Sequence, residues 1–337
     1  MGKMVRLATT QYSYREVPPE AMPYGDVFSV DAARQYAKAQ VDGNAALLAA
    51  AGEARADLAV AGEDITSLSY AMTYLDNPSL FRRLTEETAA YAHQVLAQVA
   101  RDHHMHVAAS FYEAEGERIY NSSVLFGRDG EVIGRYHKVH LPVYETWLVS
   151  PGDNFPAFET DIGVVGMIIC YDDMWPESTI ACALNGARII CHSSAASPAE
   201  YRVRTRAMDA QVFYITSTHF GSRIAAPNSA VLADAGEGDK VVTADVDVEN
   251  ASLAPENYWE YLYSGIRDHR ERHLKLRRPE AYGVLLSGSP PALGAYPEGG
   301  VANTPEAIRV VYEKQKAEYR GGLRGEPAHY QWKWSAD

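Results

Sequence analysis

Three residues stand where short apolar runs stop, and their types are those that acyl-transfer chemistry needs. Cys170 ends GVVGMII, whose Val164, Val165, Met167, Ile168 and Ile169 read as a buried strand closed by the turn signal YDDMWPE. Glu63 follows LAVAG, and Lys138 follows a strand over Val132 to Tyr136. Open α/β sheets gather their chemistry at the carboxyl ends of such strands. A thiol is weakly ionised at neutral pH and needs a base or a positive neighbour to attack a carbonyl or nitrile carbon. A carboxylate in a dry pocket can take that proton and return it. An ammonium beside the carbon under attack, with the backbone N–H after the cysteine, can hold the oxyanion. Taken alone, Cys170 reads equally well as a small buried hydrophobe, the usual fate of a free cysteine.

Other polar clusters are weaker candidates. His103, His104 and His106 lack an accompanying carboxylate or cysteine, so they read as a helix end and loop rather than a metal site. The three cysteines, Cys170, Cys182 and Cys191, show no Cys-x-x-Cys spacing and are too few for a disulfide framework. They point to a reducing, cytoplasmic setting. Arg202, Arg204 and Arg206 could form a phosphate patch, but their offsets do not place all three on one helix face. A solvated or salt-bridged helix is the better reading.

The elements that must position these residues can be traced along the chain. Val5 to Gln11 reads as a strand and Pro18 to Val30 as an irregular loop. Asp31 is a candidate N-cap for a helix to about Ala54. Leu58 to Ala61 is a short strand. A second helix over Pro78 to His103 carries Leu84, Thr88, Tyr91, Val95 and Val99 at helical spacing. Strands follow at Val107 to Tyr112, Ile119 to Phe126 and Val132 to Tyr136, the last two joined through Gly127-Arg128-Asp129-Gly130. After the Cys170 strand come a helix over Pro176 to Asn185, a strand over Ala187 to Cys191 and a helix over Ala199 to Ala210. Closing strands lie at Gln211 to Thr218, Ser229 to Leu232 and Lys240 to Val246. Such a mixture is α/β or α+β.

The 337 residues can bury a large core, with 47% hydrophobic and 22% charged residues. A net charge of -13 argues against a general nucleic-acid partner. No apolar run approaches the roughly 18 residues of a membrane span, and the N-terminus lacks the apolar core of a signal peptide.

Around the three strand ends the sequence resembles the nitrilase superfamily, the carbon–nitrogen hydrolases. The resemblance runs through GEDITS, GRYHKVHLP and MIICYDDMWPE, continues in NGARIICHSSAAS and RTRAMDAQVFYITSTHFG, and covers roughly residues 4 to 250. It implies a four-layer α-β-β-α sandwich with Glu63 as general base, Lys138 as oxyanion stabiliser and Cys170 as nucleophile. A second carboxylate often follows the lysine in this family, and Glu145 is suitably placed. The implied reaction passes through a thioester that water hydrolyses, with no metal or organic cofactor.

The resemblance also bears on substrate. Family nitrilases usually follow the cysteine with Trp-Glu, whereas Tyr171-Asp172 here is as in the amidase and carbamoylase branches. N-carbamoyl-D-amino-acid hydrolases place two arginines before the following Trp, where this chain has Asp173 and Met174. An acidic side chain there would repel a substrate carboxylate, which favours a neutral or amine-bearing amide. Tyr171, Asp173, Trp175 and Tyr144 are the candidate substrate contacts. Tyr70 and Trp147 are further aromatics that could pack on substrate, although aromatics as often serve cores and interfaces. The leading expectation is a hydrolase of a linear amide or N-carbamoyl compound. The alternatives are a true nitrilase and a catalytically idle binding subunit. A hydrolase domain over residues 1–285, a C-terminal extension over 286–337 crossing onto a partner subunit, and a homodimer or larger assembly complete the expectations.

Overall fold

Side-chain alternation along the strands decides the layering. In β2 (Leu58–Val60), Leu58 and Val60 enter one core and Ala59 another. In β7 (Gly163–Ile169), Val165, Met167 and Ile169 enter that first core, while Ile168 points the opposite way. Successive residues of a strand face opposite sides, so two sheets built from such strands are each buried on both faces. The computed structural model describes residues 3–68, 71–142, 145–249, 265, 268–292, 309–310, 312–314 and 316–317.

The first sheet is formed by β1 (Met4–Gln11), β2, β3 (His106–Glu115), β4 (Arg118–Phe126), β5 (Val132–His137) and β12 (Lys240–Asp247). Its order is β12-β1-β2-β3-β4-β5, with β1, β2 and β3 parallel and the outer pairs antiparallel. The second sheet comprises β6 (Ala157–Thr160), β7, β8 (Ile189–Ser193), β9 (Phe213–Ser217), β10 (Arg223–Ala225) and β11 (Val231–Asp234). It runs β11-β10-β9-β8-β7-β6, again with a parallel centre, β7, β8 and β9. Between the sheets lie Leu7, Val60, Ala108 and Leu125 from one side and Met167, Ile169, Ile189 and Ile215 from the other.

Helices cover the outer faces. From α1 (Val30–Glu53) and α2 (Pro78–His103), Val41, Leu48, Ala92 and Leu96 pack on Ala59, Val107 and Phe111 of the first sheet. From α3 (Pro176–Leu184) and α4 (Glu200–Ala210), Cys182, Ala183, Val203 and Ala207 pack on Ile168, Ile190 and Tyr214 of the second. The result is the four-layer α-β-β-α sandwich.

Several local readings change. The N-cap of α1 is Ser29, whose side chain accepts from the Ala32 N–H, and Asp31 lies within the first turn, paired with Arg34. Strands β6 and β10 were not foreseen; each is too short to show a period. The three histidines do not converge. His103 ends α2, His104 caps it in the left-handed region at φ 49°, and His106 pairs with Asp161 at 2.5 Å. Among the described residues no cluster of His, Cys, Asp or Glu could hold a metal ion. Among them, too, no helix is long and apolar enough to cross a membrane.

Beyond β12 the described residues include α5 (His269–Lys275), capped by Asp268 and tied to α3 by Arg270, which donates to the Ala183 and Ala187 carbonyls. Part of the C-terminal segment packs on its own chain. Tyr312 is buried with its ring 5.5 Å from that of Tyr24, and Arg309 and Lys316 reach Asp76 at 2.5 and 2.7 Å. The rest of the aromatic tail, Tyr70 and Tyr144 lie outside the described residues.

Candidate active site

The turn that carries Cys170, the expected nucleophile, is built by a strand that must turn sharply. After β7 the backbone at Cys170 adopts φ 43°, a left-handed conformation that non-glycine residues rarely take. The chain then makes a 3-10 turn over Cys170–Met174 and enters α3 with Pro176 as its first residue, where a missing N–H costs nothing. Asp172 holds this turn. Its Oδ2 accepts from the Ile169 N–H at 3.0 Å and the Tyr136 hydroxyl at 2.6 Å, and its Oδ1 accepts from the His140 N–H at 2.9 Å. From β8, His192 Nε2–H donates to the Cys170 carbonyl at 3.3 Å.

Glu63 and Lys138 arrive from the other sheet. Past β2 the chain reverses through Asp64 and Ser67, both at positive φ. Lys138 follows the edge strand β5, and its N–H is fixed to the Asn121 carbonyl at 2.9 Å. Its own carbonyl accepts from the Gly152 N–H at 2.8 Å. A Cβ on Gly152 would lie 2.2 Å from the His137 carbonyl oxygen, so only glycine lets the two backbones meet.

The charged groups then meet in a dry pocket. Lys138 Nζ lies 2.7 Å from Glu63 Oε1 and 3.0 Å from Glu145 Oε2. The three residues are 1%, 6% and 2% exposed, respectively. Glu63 Oε2 accepts from the Ala195 N–H at 2.9 Å, and the Cys170 thiol lies beside both the Glu63 carboxylate and the Ser194 side chain. Tyr112 donates to Glu145 Oε1 at 3.0 Å.

Protonation follows from these contacts. Burial, reinforced by the Glu63 charge, pushes the Cys170 thiol up to about 12, despite the Lys138 ammonium. Burial alone would raise Glu63, but the Lys138 ammonium and the Ala195 N–H outweigh it and hold that carboxyl below its ordinary value. Glu145 moves the opposite way, because burial and the Glu63 charge exceed what Lys138 and Tyr112 return. A neutral thiol therefore faces an ionised carboxylate beside an ammonium. Such a group can lose its proton as it attacks, and the ammonium can receive negative charge that develops on the attacked carbon's substituent.

Glu63, Lys138 and Glu145 are thus brought into direct contact, with Cys170 against Glu63. Tyr171 and Trp175 lie at the rim, 39% and 36% exposed, in an edge-to-face pair at 5.0 Å, and Trp175 stacks on His140 at 4.1 Å. Trp147 packs half-buried against the core around Tyr24 and Phe81. Asp173 is a correction. Its buried carboxylate does not present a bare charge to substrate: it accepts from the Tyr214 hydroxyl at 2.9 Å and pairs with Arg202 at 3.4 Å and Arg206 at 3.7 Å. The case against a carboxylate-bearing substrate therefore falls. The arginine reading is refined by the same contacts, since positions four apart do share a helix face. Arg206 also donates to the Asp173 carbonyl at 2.8 Å.

Sequence reasoning missed Asn121, Tyr112, Tyr136 and the Ala195 N–H, and it read Asp172 as a branch marker without its hold on the turn. The signal for Asn121 was a polar residue inside the apolar strand IYNSSVLF, which buries an amide that must find partners.

The carbon-nitrogen hydrolase family profile matches residues 31–256. A nitrilase of Pyrococcus abyssi (strain GE5 / Orsay) is 35% identical over 167 residues, covering 45% of this chain and 63% of that protein, less than two thirds of its length. An omega-amidase of Homo sapiens is 28% identical over 220 residues, covering 57% of this chain and 80% of that protein. Among solved structures, a carbon-nitrogen hydrolase from Helicobacter pylori G27 matches with TM-score 0.67 and 21% identity, over 84% of this chain and 98% of that one. An amidase from Nesterenkonia sp. matches with TM-score 0.60 and 20% identity, over 84% and 97%. The solved structures speak to the shared fold, and the profile spans more than half of the sequence. The chain belongs to the carbon–nitrogen hydrolases of the nitrilase superfamily, enzymes that hydrolyse C–N bonds.

Proposed function

We propose that this enzyme hydrolyses a linear carboxamide or N-carbamoyl compound through a Cys170 thioester, with Glu63 as base and Lys138 as oxyanion partner. The observation that carries the reading is the buried contact of the Glu63 carboxylate with the Lys138 ammonium, set beside the half-buried Cys170 thiol. As Sγ attacks the carbonyl carbon, Glu63 takes the thiol proton and the C=O electron pair moves onto oxygen. Lys138 Nζ and the backbone N–H after Cys170 stabilise that oxyanion. On collapse the C–N bond breaks, and the proton on Glu63 passes to the leaving nitrogen, releasing ammonia or an amine. Water then adds to the thioester with Glu63 again as base, and the acid departs as the thiol is restored. Glu145, holding Lys138 from the far side, keeps the ammonium aimed at the carbonyl oxygen.

Amide over nitrile is supported by Tyr171-Asp172 after the cysteine, by omega-amidase relatives and by amidases among the structural neighbours. The nitrilase of Pyrococcus abyssi supports the second reading, attack on a nitrile with release of a carboxylic acid and ammonia. All three cysteines are free thiols, which supports a reducing compartment such as the cytoplasm. A panel of matched amides, N-carbamoyl compounds and nitriles, read by ammonia release, tests the choice. We expect turnover of amides or carbamoyl compounds; turnover of nitriles alone would transfer the assignment to the second reading.

A further inference from the structure

We propose that Asn121 is the positioning residue of this site, an amide donor that bridges both carboxylates and fixes which oxygen of Glu63 receives the thiol proton. The inference rests on the catalytic reading above. Asn121 is 1% exposed on β4. Its Nδ2 lies 2.9 Å from Glu63 Oε1 and 3.3 Å from Glu145 Oε1. Its Oδ1 accepts from the Ser110 hydroxyl on β3 at 2.9 Å, which sets the amide with its nitrogen toward the carboxylates. Its backbone carbonyl accepts from the Lys138 N–H at 2.9 Å. One residue therefore touches the base, the second carboxylate and the backbone of the ammonium carrier.

The consequence lies in lone-pair accounting. Glu63 Oε1 receives both Lys138 Nζ at 2.7 Å and Asn121 Nδ2, so its two in-plane sites are filled by donors. Oε2 receives the Ala195 N–H and keeps one site for the Cys170 proton. Asn121 can only donate through Nδ2, so a proton placed on Oε1 would meet two donors, Asn121 and Lys138. The transferred proton is thereby confined to Oε2, the oxygen on the side of β8 and its following loop. The charged and titratable groups facing Glu63 are Lys138 after β5, Glu145 in the loop beyond, Cys170 after β7, His192 on β8 and His219 after β9. Beside these groups Asn121 supplies a neutral side-chain donor, as Ala195 supplies a neutral backbone one.

The test is the pH profile of kcat/KM on a substrate found in the panel above. Ionised Glu63 is the active form, so activity is present above its pKa and lost as pH falls through it. Asn121→Asp adds a negative charge beside Glu63, and the acid limb should move to higher pH by about one unit or more. Asn121→Leu removes the donor and should lower kcat by about 10²–10³-fold with little change in KM. Ser110→Ala leaves every charged group in place and frees the amide, so kcat should fall about tenfold, the equivalent of one hydrogen bond. This variant carries the test if the Asn121 variants do not fold. A wild-type acid limb in Asn121→Asp, or unchanged kcat in Ser110→Ala, would overturn the role of Asn121 while Cys170→Ala stays inactive. Activity in Cys170→Ala would instead remove the catalytic reading itself.

Discussion

Two buried ionic clusters flank the same nucleophile turn, and they are built with opposite balances. In one, Lys138 stands between Glu63 and Glu145, two carboxyl groups to one ammonium. In the other, Asp173 stands between Arg202 and Arg206, one carboxylate to two guanidiniums, with Tyr214 completing its hydrogen bonds. Both lie within a few residues or ångströms of Cys170. The second cluster is saturated, and its donors also grip the Asp173 and Met174 carbonyls, so it fixes the backbone after the cysteine. The first sets two carboxyl groups on one ammonium and places the Glu63 carboxylate beside the thiol, so it can exchange a proton. Burial of charge near a nucleophile is therefore not itself a mark of chemistry. The decisive feature is which cluster keeps an acceptor facing the thiol.

That contrast can be broken by substitution. Glu63→Gln or Lys138→Met should lower kcat/KM by about 10³–10⁴-fold in steady-state assays, because in the proposed mechanism each removes a group that acts in the transition state. Asp173→Asn should instead appear in denaturant unfolding as a loss of about 3–5 kcal/mol, since it leaves two guanidiniums without their buried counter-charge. Its kcat/KM, measured on the folded fraction, should stay within about tenfold of wild type. A catalytic loss as large as that of Glu63→Gln would erase the distinction between the clusters. The pH profile sharpens it further. Glu63 is held below its ordinary value by the Lys138 ammonium, so the acid limb of kcat/KM should lie below the ordinary glutamate range. The thiol, pushed up to about 12, should impose no limb near neutrality. The smallest effect belongs to the remaining arginine of α4. Arg204 is exposed, pairs with Glu200 at 3.4 Å and donates to the Ser229 carbonyl at 2.9 Å, so Arg204→Ala should change stability by no more than about 1 kcal/mol.

Much of this organisation could be read before any coordinates. The long apolar or helical runs, such as Gly163–Ile169 and Pro78–His103, carry strong periodicity and clear boundaries. Strand ends bearing Glu63, Lys138 and Cys170 were visible because polar residues interrupt those runs. Other features depend on tertiary pairing. Strand β10 spans three residues and includes a register shift against β11, so nothing local marks it. Asp173 looked like a substrate contact because its partners sit about thirty to forty residues later, on α4 and β9. Asn121 and Tyr112 lie on neighbouring antiparallel strands as directly opposed residues, a register that the sequence does not state. Their convergence on Glu145 follows only once β3 and β4 are paired.

The central claim is that Cys170 forms the covalent bond to substrate. Cys170→Ala removes only the sulfur from a half-buried position and leaves both ionic clusters in place. Ammonia release by this variant, across the full panel of amides and at enzyme concentrations where the wild type is readily measured, tests it most directly. No release above the enzyme-free blank is expected, with an unchanged far-UV circular dichroism spectrum. Release at a rate comparable to wild type from the folded variant would contradict it.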